Sequence, residues 1–249
     1  MPATDVAAGK WDGLGRAACF LCLLLPWINP FASGPSSSVD PWLLSAVSVA
    51  LVLAIHPPAR LRPVLVLALA FLAAWTAIRT GLSPEALALA AACLLVLMAA
   101  GAAAGGSNRA GFIDAMAFAW LLAAAIRTAM ALCQYFGIEG SLAPWVNSSA
   151  AGEAYANLRQ RNQFASLTAI GMASLLWLSP RKLGAWTAVL AMVWLAAGNA
   201  ATTSRTGLMQ MLVLGVLACA WPGPRRPRAV LFGAGLTAYL VWALALAAL

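Results

Sequence analysis

The segment YANLRQRNQFASLTAIGMASLLWL, residues Tyr155–Leu178, passes from a polar run directly into an apolar one. Residues 157–163 contain two arginines, two glutamines and two asparagines. The residues that follow form the kind of apolar run that makes a membrane helix. The polar side chains therefore lie at the start of a predicted membrane span, where their presence needs a specific reason.

The rest of the chain is also strongly apolar. Of its 249 residues, 63% are hydrophobic and 9% are charged, and the mean hydropathy is +0.87. An ordinary soluble domain is about a quarter charged, so this chain cannot cover a globular surface with polar groups. We predict an all-α, polytopic transmembrane helix bundle that forms a single domain over residues 1–249.

About nine apolar segments can be drawn, separated by clusters of Pro, Gly and Ser. The predicted spans are Leu14–Ile28, Trp42–Ile55, Val64–Ile78, Ala86–Ala100, Gly111–Gln134, Asn162–Leu178, Leu183–Gly198, Thr206–Trp221 and Ala229–Leu249.

The cysteines give no sign of a metal or redox centre. All five lie in or beside apolar runs, and the chain has one histidine. Cys19 and Cys22 form a C-x-x-C pair, but inside an apolar helix this favours two small hydrophobic residues one turn apart. We therefore predict no metal site and no cofactor.

The formal charge is +8, and the basic residues lie in short clusters between apolar runs. Such clusters are typical of the loops that set membrane topology, so we exclude a nucleic-acid partner. With the N-terminus in the cytoplasm, the odd number of spans puts Leu249 on the outer side. The predicted cytoplasmic segments then hold Lys10, Arg16, Arg60, Arg62, Arg109, Arg181, Lys182, Arg225, Arg226 and Arg228, whereas the outer segments hold Arg79, Arg159, Arg161 and Arg205.

Arginines on the outer side run against the positive-inside rule, so their presence there needs another explanation. Arg79 is explained by snorkelling to lipid headgroups. Arg127 lies inside the fifth span, where a charge is costly; it either faces a protein interior or snorkels, and the sequence leaves both interpretations open.

The sixth and eighth predicted spans both begin at the outer face. A helix N-terminus offers unpaired N–H groups and the positive end of its dipole, so it attracts anions. Thr203 or Ser204, in the segment TTSRTG, is placed to cap the eighth helix. We predict a diphosphate site formed by Arg159, Arg161, Arg205, Gln160 and Ser204, supported by Arg127, Asn162 and Gln163. The alternative for this polar cluster is a solvated helix cap.

Residues 135–161 form the longest predicted outer loop, which leads into the polar cluster. Glu139 and Glu153 are its only acids, and nothing in their spacing pairs them for acid–base chemistry. His56 lies in a predicted cytoplasmic connection and is a poor candidate for catalysis at the outer face.

The stretch ANLRQRNQFASLTAIGMASLLWL resembles the signature of bacterial protein O-oligosaccharyltransferases. The later stretch TTSRTGLMQ resembles the Ser-Arg-Thr segment of the wider O-antigen ligase and polymerase superfamily. The resemblance implies a GT-C-like, multi-span glycosyltransferase of the bacterial inner membrane. Such enzymes move a glycan from a polyprenyl-diphosphate donor to an acceptor hydroxyl on the periplasmic side, and they contact membrane lipids throughout.

The acceptor implied by the resemblance is an exported, pilin-like protein or, for O-antigen ligases, a lipid A core sugar. Arg159, Arg161 and Arg205 would then neutralise the diphosphate as it leaves. Family members continue into a large periplasmic loop that carries a general-base histidine. This chain has no histidine on the predicted outer side, so we expect a truncation after residue 249 and a donor site without turnover.

Three alternatives remain open. A non-catalytic membrane scaffold predicts that replacing Arg159, Arg161 and Arg205 with alanine leaves every phenotype unchanged. An O-antigen ligase or polymerase would have the same spans. A transporter of the lipid-linked oligosaccharide would also use an arginine-lined interior, although transporters distribute polar residues through the middle of the membrane. Here the polar residues concentrate at one face, which favours the transferase.

Overall fold

The computed structural model describes residues 4–28, 40–55, 63–81, 109–150, 152–158, 160–220 and 225–247. Within these ranges every regular element is a helix, and no strand occurs. The predicted all-α class is therefore confirmed for the described part of the chain. The helices are α1 (Thr4–Leu24), α2 (Asp40–Ile55), α3 (Pro63–Thr80), α4 (Arg109–Tyr135), α5 (Arg161–Lys182), α6 (Ala185–Ala201), α7 (Arg205–Ala220) and α8 (Arg225–Ala247).

Eight of the predicted spans fall on these helices, with ends that differ by a few residues in most cases. The largest difference is at α1, which begins ten residues before Leu14 and is followed by a short 3-10 helix, Leu25–Trp27. The predicted span Ala86–Ala100 lies outside the described residues.

Two of the described helices are long and apolar enough to cross a membrane. They cover Gly111–Tyr135 and Arg226–Leu246. Four further apolar stretches are shorter: Gly15–Trp27, Val66–Arg79, Ala185–Ala201 and Arg205–Ala220. This pattern is consistent with a membrane protein, and the count of nine spans stays a prediction.

The chain divides into two compact units. The first consists of residues 1–27 and 39–116. Its α1 packs against α2, and Cys19, Val52 and Phe112 form a small buried cluster. Several large apolar side chains of α3 are exposed, among them Val64 at 80% and Ile78 at 77%. Such a face suits lipid better than water.

The second unit consists of residues 28–38 and 117–249 and contains α5 to α8 with most of α4. In it α6 packs against α8 and α5, and α5 packs against α7. The largest buried apolar side chains of α5 include Phe164, Leu167 and Leu175. The helix α5 is therefore central to this unit, and its N-terminus is the place where the polar segment meets the bundle.

Glycines allow the helices of the second unit to approach closely. A Cβ added at Gly171 of α5 would lie 2.6 Å from the Ala124 Cβ of α4. A Cβ added at Gly207 of α7 would overlap the Oδ1 atom of Asn199 in α6. Small residues at helix crossings are the usual device for close packing in membrane bundles. The close approach matters for the site because α6 and α7 flank the turn that contacts the α5 N-terminus.

Candidate functional site

The N-terminus of α5 lies at the end of the polar segment. Gln160 is extended, with φ −141° and ψ 141°, and Arg161 is the first helical residue, one position before the predicted start at Asn162. The Gln160 carbonyl accepts hydrogen bonds from the N–H groups of Gln163 and Phe164, at 3.1 and 3.3 Å. The Gln160 side chain makes no capping hydrogen bond. This terminus therefore has the free-donor character that favours anions.

The turn between α6 and α7 is tightly bonded to itself. The Thr202 hydroxyl donates to the Asn199 carbonyl at 2.6 Å and accepts from the Ser204 N–H at 3.1 Å. Thr203 has a φ of +50°, which L residues rarely adopt. The Ser204 carbonyl then accepts the first intrahelical bond of α7, from the Gly207 N–H at 3.1 Å. These bonds hold Thr203 and Ser204 in one orientation.

Two side-chain hydrogen bonds join this turn to the start of α5. Arg161 Nη1 donates to Thr203 Oγ1 at 3.1 Å. Ser204 Oγ donates to Asn162 Oδ1 at 2.7 Å. The hydroxyl of Ser204 is thus directed at α5, although the sequence suggested it as a cap for its own helix. The two helix N-termini are consequently neighbours.

Polar contacts continue below this junction, inside the bundle. Gln210 Nε2 donates to Ser166 Oγ at 2.9 Å, and Asn199 Nδ2 donates to Thr168 Oγ1 at 2.9 Å. Asn199 and Thr168 are fully buried. Interhelical hydrogen bonds of this kind fix the register of membrane helices, so α5 is tied to both α6 and α7.

An open cavity of about 630 Å³ lies in front of the α5 N-terminus and is hereafter called the α5 cavity. Its volume is within the range of about 300–1,000 Å³ that is typical for small-molecule sites. Its described lining is mainly polar and consists of Ser148, Ser149, Ala150, Glu153, Tyr155, Gln160, Arg161 and Asn162.

The loop wall of the α5 cavity is held by one glutamine at the end of α4. Gln134 is fully buried. Its Oε1 accepts hydrogen bonds from the N–H groups of Tyr155 and Ala156, at 3.2 and 2.8 Å. Its Nε2 donates to the Asn147 carbonyl at 3.0 Å. The single amide of Gln134 thus binds two segments of the loop, one at Asn147 and one at Tyr155 and Ala156, to the end of α4.

Asn157 completes this arrangement from the loop side. Its Oδ1 accepts from the Asn147 N–H at 2.9 Å, and its Nδ2 donates to the Trp145 carbonyl at 2.9 Å. Its φ of +62° is one that asparagine tolerates better than most residues. Asn157, the first residue of the polar segment 157–163, therefore closes the loop on itself.

Arg127 is the third member of this group, which we call the loop anchor: Arg127, Gln134 and Asn157. Its exposure is 1%, and Nη1 donates to the Ala156 carbonyl at 2.7 Å. A buried arginine bonded to a loop carbonyl is held by protein groups. The structure therefore agrees with the interior alternative for Arg127 and not with snorkelling to lipid headgroups.

Tyr155 links the loop anchor to the α5 cavity. Its N–H is held by Gln134, its hydroxyl donates to the Ser148 carbonyl at 2.8 Å, and its ring lines the cavity. Burial raises the pKa of the Tyr155 hydroxyl, and the nearby carboxylates of Glu153 and Glu139 raise that pKa further. Tyr155 is therefore a neutral hydrogen-bond donor at ordinary pH.

The structure brings some of the predicted site residues together. Gln160, Arg161 and Asn162 line the α5 cavity, and Ser204 contacts Asn162. Three further predicted residues are not in the described lining: Arg127, Gln163 and Arg205. Of these, Arg205 is exposed as the first residue of α7, and Gln163 is exposed in the first turn of α5. The predicted residue Arg159 lies outside the described residues.

Sequence reasoning missed the loop anchor residues Gln134 and Asn157 and the cavity residues Ser148 and Ser149. Gln134 carried a usable signal, since a glutamine at the end of an apolar span needs an internal partner. The loop serines carried none, because serine is ordinary in loops and its partner is set by the fold.

A sequence profile described as protein glycosylation ligase matches residues 154–178 of the chain. The matched stretch contains four residues that line the α5 cavity: Tyr155, Gln160, Arg161 and Asn162. It also contains Ala156, whose carbonyl accepts a hydrogen bond from Arg127, and the loop anchor residue Asn157. No curated protein and no solved structure matches the chain. The match supports a glycan-transfer role for this part of the chain.

Proposed function

We propose that this protein is a glycosyltransferase of the bacterial inner membrane. It takes a glycan from a polyprenyl-diphosphate donor and transfers it to an acceptor hydroxyl on the periplasmic side. The acceptor is a serine or threonine of an exported, pilin-like protein. One observation carries the proposal: the stretch that matches the protein glycosylation ligase profile supplies Arg161 and half of the described lining of the α5 cavity.

The cavity has the chemistry that a diphosphate needs at one end. Arg161 is exposed in the cavity and offers guanidinium N–H groups in a planar fork. The uncapped N-terminus of α5 adds backbone donors and the positive end of the helix dipole. Arg205, exposed at the start of α7, adds positive charge near the junction of the two helices. Gln160, which also lines the cavity, extends this donor set, and the proposal adds the guanidinium of Arg159 as a further cation.

These groups act on the leaving group in the proposed reaction. The acceptor hydroxyl attacks the anomeric carbon and loses its proton to solvent. The bond from that carbon to the diphosphate oxygen breaks, and the diphosphate leaves with the electron pair. Negative charge then develops on the diphosphate, where the guanidinium of Arg161 and the helix N–H groups stabilise it. Donors that are fixed before the reaction stabilise such charge without a reorganisation cost. The hydrogen bond from Arg161 to Thr203 supplies that fixed position.

The test is binding of undecaprenyl diphosphate to the purified chain in detergent micelles. The Arg161→Ala variant is expected to bind about tenfold more weakly, since one charge-assisted contact is lost. Arg205→Ala is expected to weaken binding less, because this residue is outside the described lining. Arg79→Ala is the matched control, because Arg79 is another exposed arginine on the predicted outer side. Equal affinity of native protein and Arg161→Ala would remove the diphosphate assignment.

A second test addresses the transfer. Because the chain has no histidine on the predicted outer side to act as general base, slow transfer at most is expected from it. Membranes that contain the chain are supplied with a polyprenyl-diphosphate-linked glycan and a serine-containing peptide, and glycopeptide is measured by mass spectrometry. Transfer to the peptide that falls with Arg161→Ala supports the protein acceptor. Transfer to a lipid A core sugar in the same assay, with none to the peptide, would favour the O-antigen ligase alternative.

A further inference from the structure

The α5 cavity has two walls of different chemistry. The helix wall is Gln160, Arg161 and Asn162, and the loop wall is Ser148, Ser149, Glu153 and Tyr155. In the described lining, Arg161 is the cation and Glu153 is the anion. No ion pair joins these two described residues. The Glu153 carboxylate and the Arg161 donors that are not bonded to Thr203 are therefore available to a ligand. A single diphosphate cannot be the natural partner of both walls, because Glu153 repels it.

We infer that the loop wall binds the sugar that is attached directly to the donor's diphosphate, with the Glu153 carboxylate accepting hydrogen bonds from its hydroxyl or amide groups. The inference rests on the proposed function and deepens it. An ionised carboxylate accepts hydrogen bonds and donates none. Among the parts of the proposed donor, only the sugar offers O–H or N–H donors to such a group.

The loop wall is built before any ligand arrives. Ser149 Oγ donates to the Glu153 carbonyl at 3.1 Å, and the Tyr155 hydroxyl donates to the Ser148 carbonyl at 2.8 Å. The Glu153 N–H donates to the Ala150 carbonyl at 2.9 Å, and the Gly152 N–H reaches the Tyr135 carbonyl of α4 at 3.2 Å. These bonds fix the backbone on both sides of Glu153, and Glu153 itself is exposed. A wall of this kind binds with a small loss of conformational entropy.

The size of the cavity fits two subsites. At about 630 Å³ it has room for more than a diphosphate group. With the diphosphate at Arg161 and the sugar at Glu153, the donor has only one favourable direction in the cavity. The reverse direction would put negative phosphate oxygens against the carboxylate, which costs affinity. The two walls therefore orient the bond that is to be broken.

The experiment uses the purified full chain in detergent micelles and two probes. One is undecaprenyl diphosphate, and the other is undecaprenyl diphosphate that carries a single N-acetylglucosamine. Glu153→Gln is expected to lower the affinity for the sugar-bearing probe about five- to tenfold. Its affinity for the bare probe should not fall, because a negative charge beside the anion site has been removed. Because Glu153 is exposed, the substitution is expected to leave the packing of the loop intact.

A serine pair provides the second variant and its control. Ser148→Ala, which removes a hydroxyl from the loop wall, is expected to weaken only the sugar-bearing probe, about threefold. Ser141→Ala alters another exposed serine of the same loop that is outside the described lining, and it should change neither affinity.

The outcomes separate the two proposals. If the native chain binds neither probe, the proposed function fails and the inference fails with it. If the native chain binds both probes but Glu153→Gln leaves their affinity ratio unchanged, the inference alone is overturned. Loss of both affinities together in Glu153→Gln would also overturn it, because the carboxylate would then act on the site as a whole and not on the sugar.

Discussion

Ser204 and Asn162 are 42 positions apart in the chain, yet Ser204 Oγ donates to Asn162 Oδ1 at 2.7 Å. The contact joins the residue before α7 to the second residue of α5. It places two helix N-termini side by side, and the neighbouring bond from Arg161 to Thr203 does the same. Arg161, which bonds to this junction, is the arginine in the described lining of the α5 cavity.

Breaking this contact should loosen the junction measurably. In a double-mutant cycle with Ser204→Ala and Asn162→Ala, we expect a coupling free energy of about 0.5–1.5 kcal/mol, the usual worth of a neutral hydrogen bond. The measurement is reversible unfolding in mixed micelles, with Ser141→Ala as a control for loss of an exposed hydroxyl. Strictly additive effects of the two substitutions would mean that the bond does not hold the helices together.

Arg127 should control the order of the loop that lines the α5 cavity. Arg127→Met keeps an unbranched side chain, although a shorter one, and leaves the Ala156 carbonyl without its 2.7 Å donor. An unpaired buried carbonyl costs about 1–3 kcal/mol. Faster amide hydrogen exchange is therefore expected in residues 147–157.

The control for that experiment is Arg79→Met, which removes an exposed arginine from α3 and should leave exchange in the loop unchanged. Arg127→Lys distinguishes charge from geometry, since lysine keeps the charge but has a different donor arrangement. Unchanged protection of the loop in Arg127→Met would show that Gln134 and Asn157 anchor it without help.

Gly207 should be intolerant of a methyl group. A Cβ at this position would overlap the Oδ1 atom of buried Asn199, and the Cβ of Ala165 would lie 3.2 Å away. Gly207→Ala is expected to destabilise the protein by about 1–3 kcal/mol, as overpacking usually does. In an Asn199→Ala background, the further loss caused by Gly207→Ala should be smaller, because the overlapping amide is absent.

Gly233 offers the matched control for this experiment. It is also helical, in α8, but a Cβ added there meets nothing within 4 Å. Gly233→Ala should stabilise the chain by up to about 1 kcal/mol, because alanine is the better helix former. Thermal melting in detergent compares the two variants directly, and equal effects would contradict the close approach of α6 and α7.

Tyr155 should make the stability of the second unit sensitive to alkaline pH. Its pKa in the folded protein is raised above the ordinary value of 10.0, first by burial and then by Glu153 and Glu139. The contribution of the neutral Tyr155 hydroxyl to the free energy of unfolding is fully present below pH 10, where the hydroxyl is neutral in both the folded and the unfolded chain. It declines above pH 10, since the unfolded chain then ionises more readily than the folded one.

The measurement is the melting temperature from pH 8 upward for the native chain and for Tyr155→Phe. The native chain should lose more stability above about pH 10 than the variant does, because phenylalanine does not titrate. Tyr135 and Tyr239 are present in both proteins, so they cancel in the comparison. Parallel pH profiles would exclude a raised pKa at Tyr155.

Most helices could be predicted from the sequence because their signal is local. The apolar run after Asn162 and the polar residues before it place the start of α5 to within one residue of Arg161. The segment TTSRTG likewise places the start of α7 next to Ser204. In both cases a change from polar to apolar residues within a few positions carries the information.

The sequence by itself determined the all-helical class of the described residues, the place of the polar cluster at a helix N-terminus and the resemblance that suggests glycan transfer. Only the tertiary structure decided that Arg127 and Gln134 hold the loop, that Glu153 shares a cavity with Arg161, and that Ser204 bonds to Asn162. The physical reason is distance along the chain. Helix formation depends on neighbouring residues. The hydrogen bonds of Gln134, Arg127 and Ser204 join residues that are 21, 29 and 42 positions apart, and only the folded chain brings these residues together.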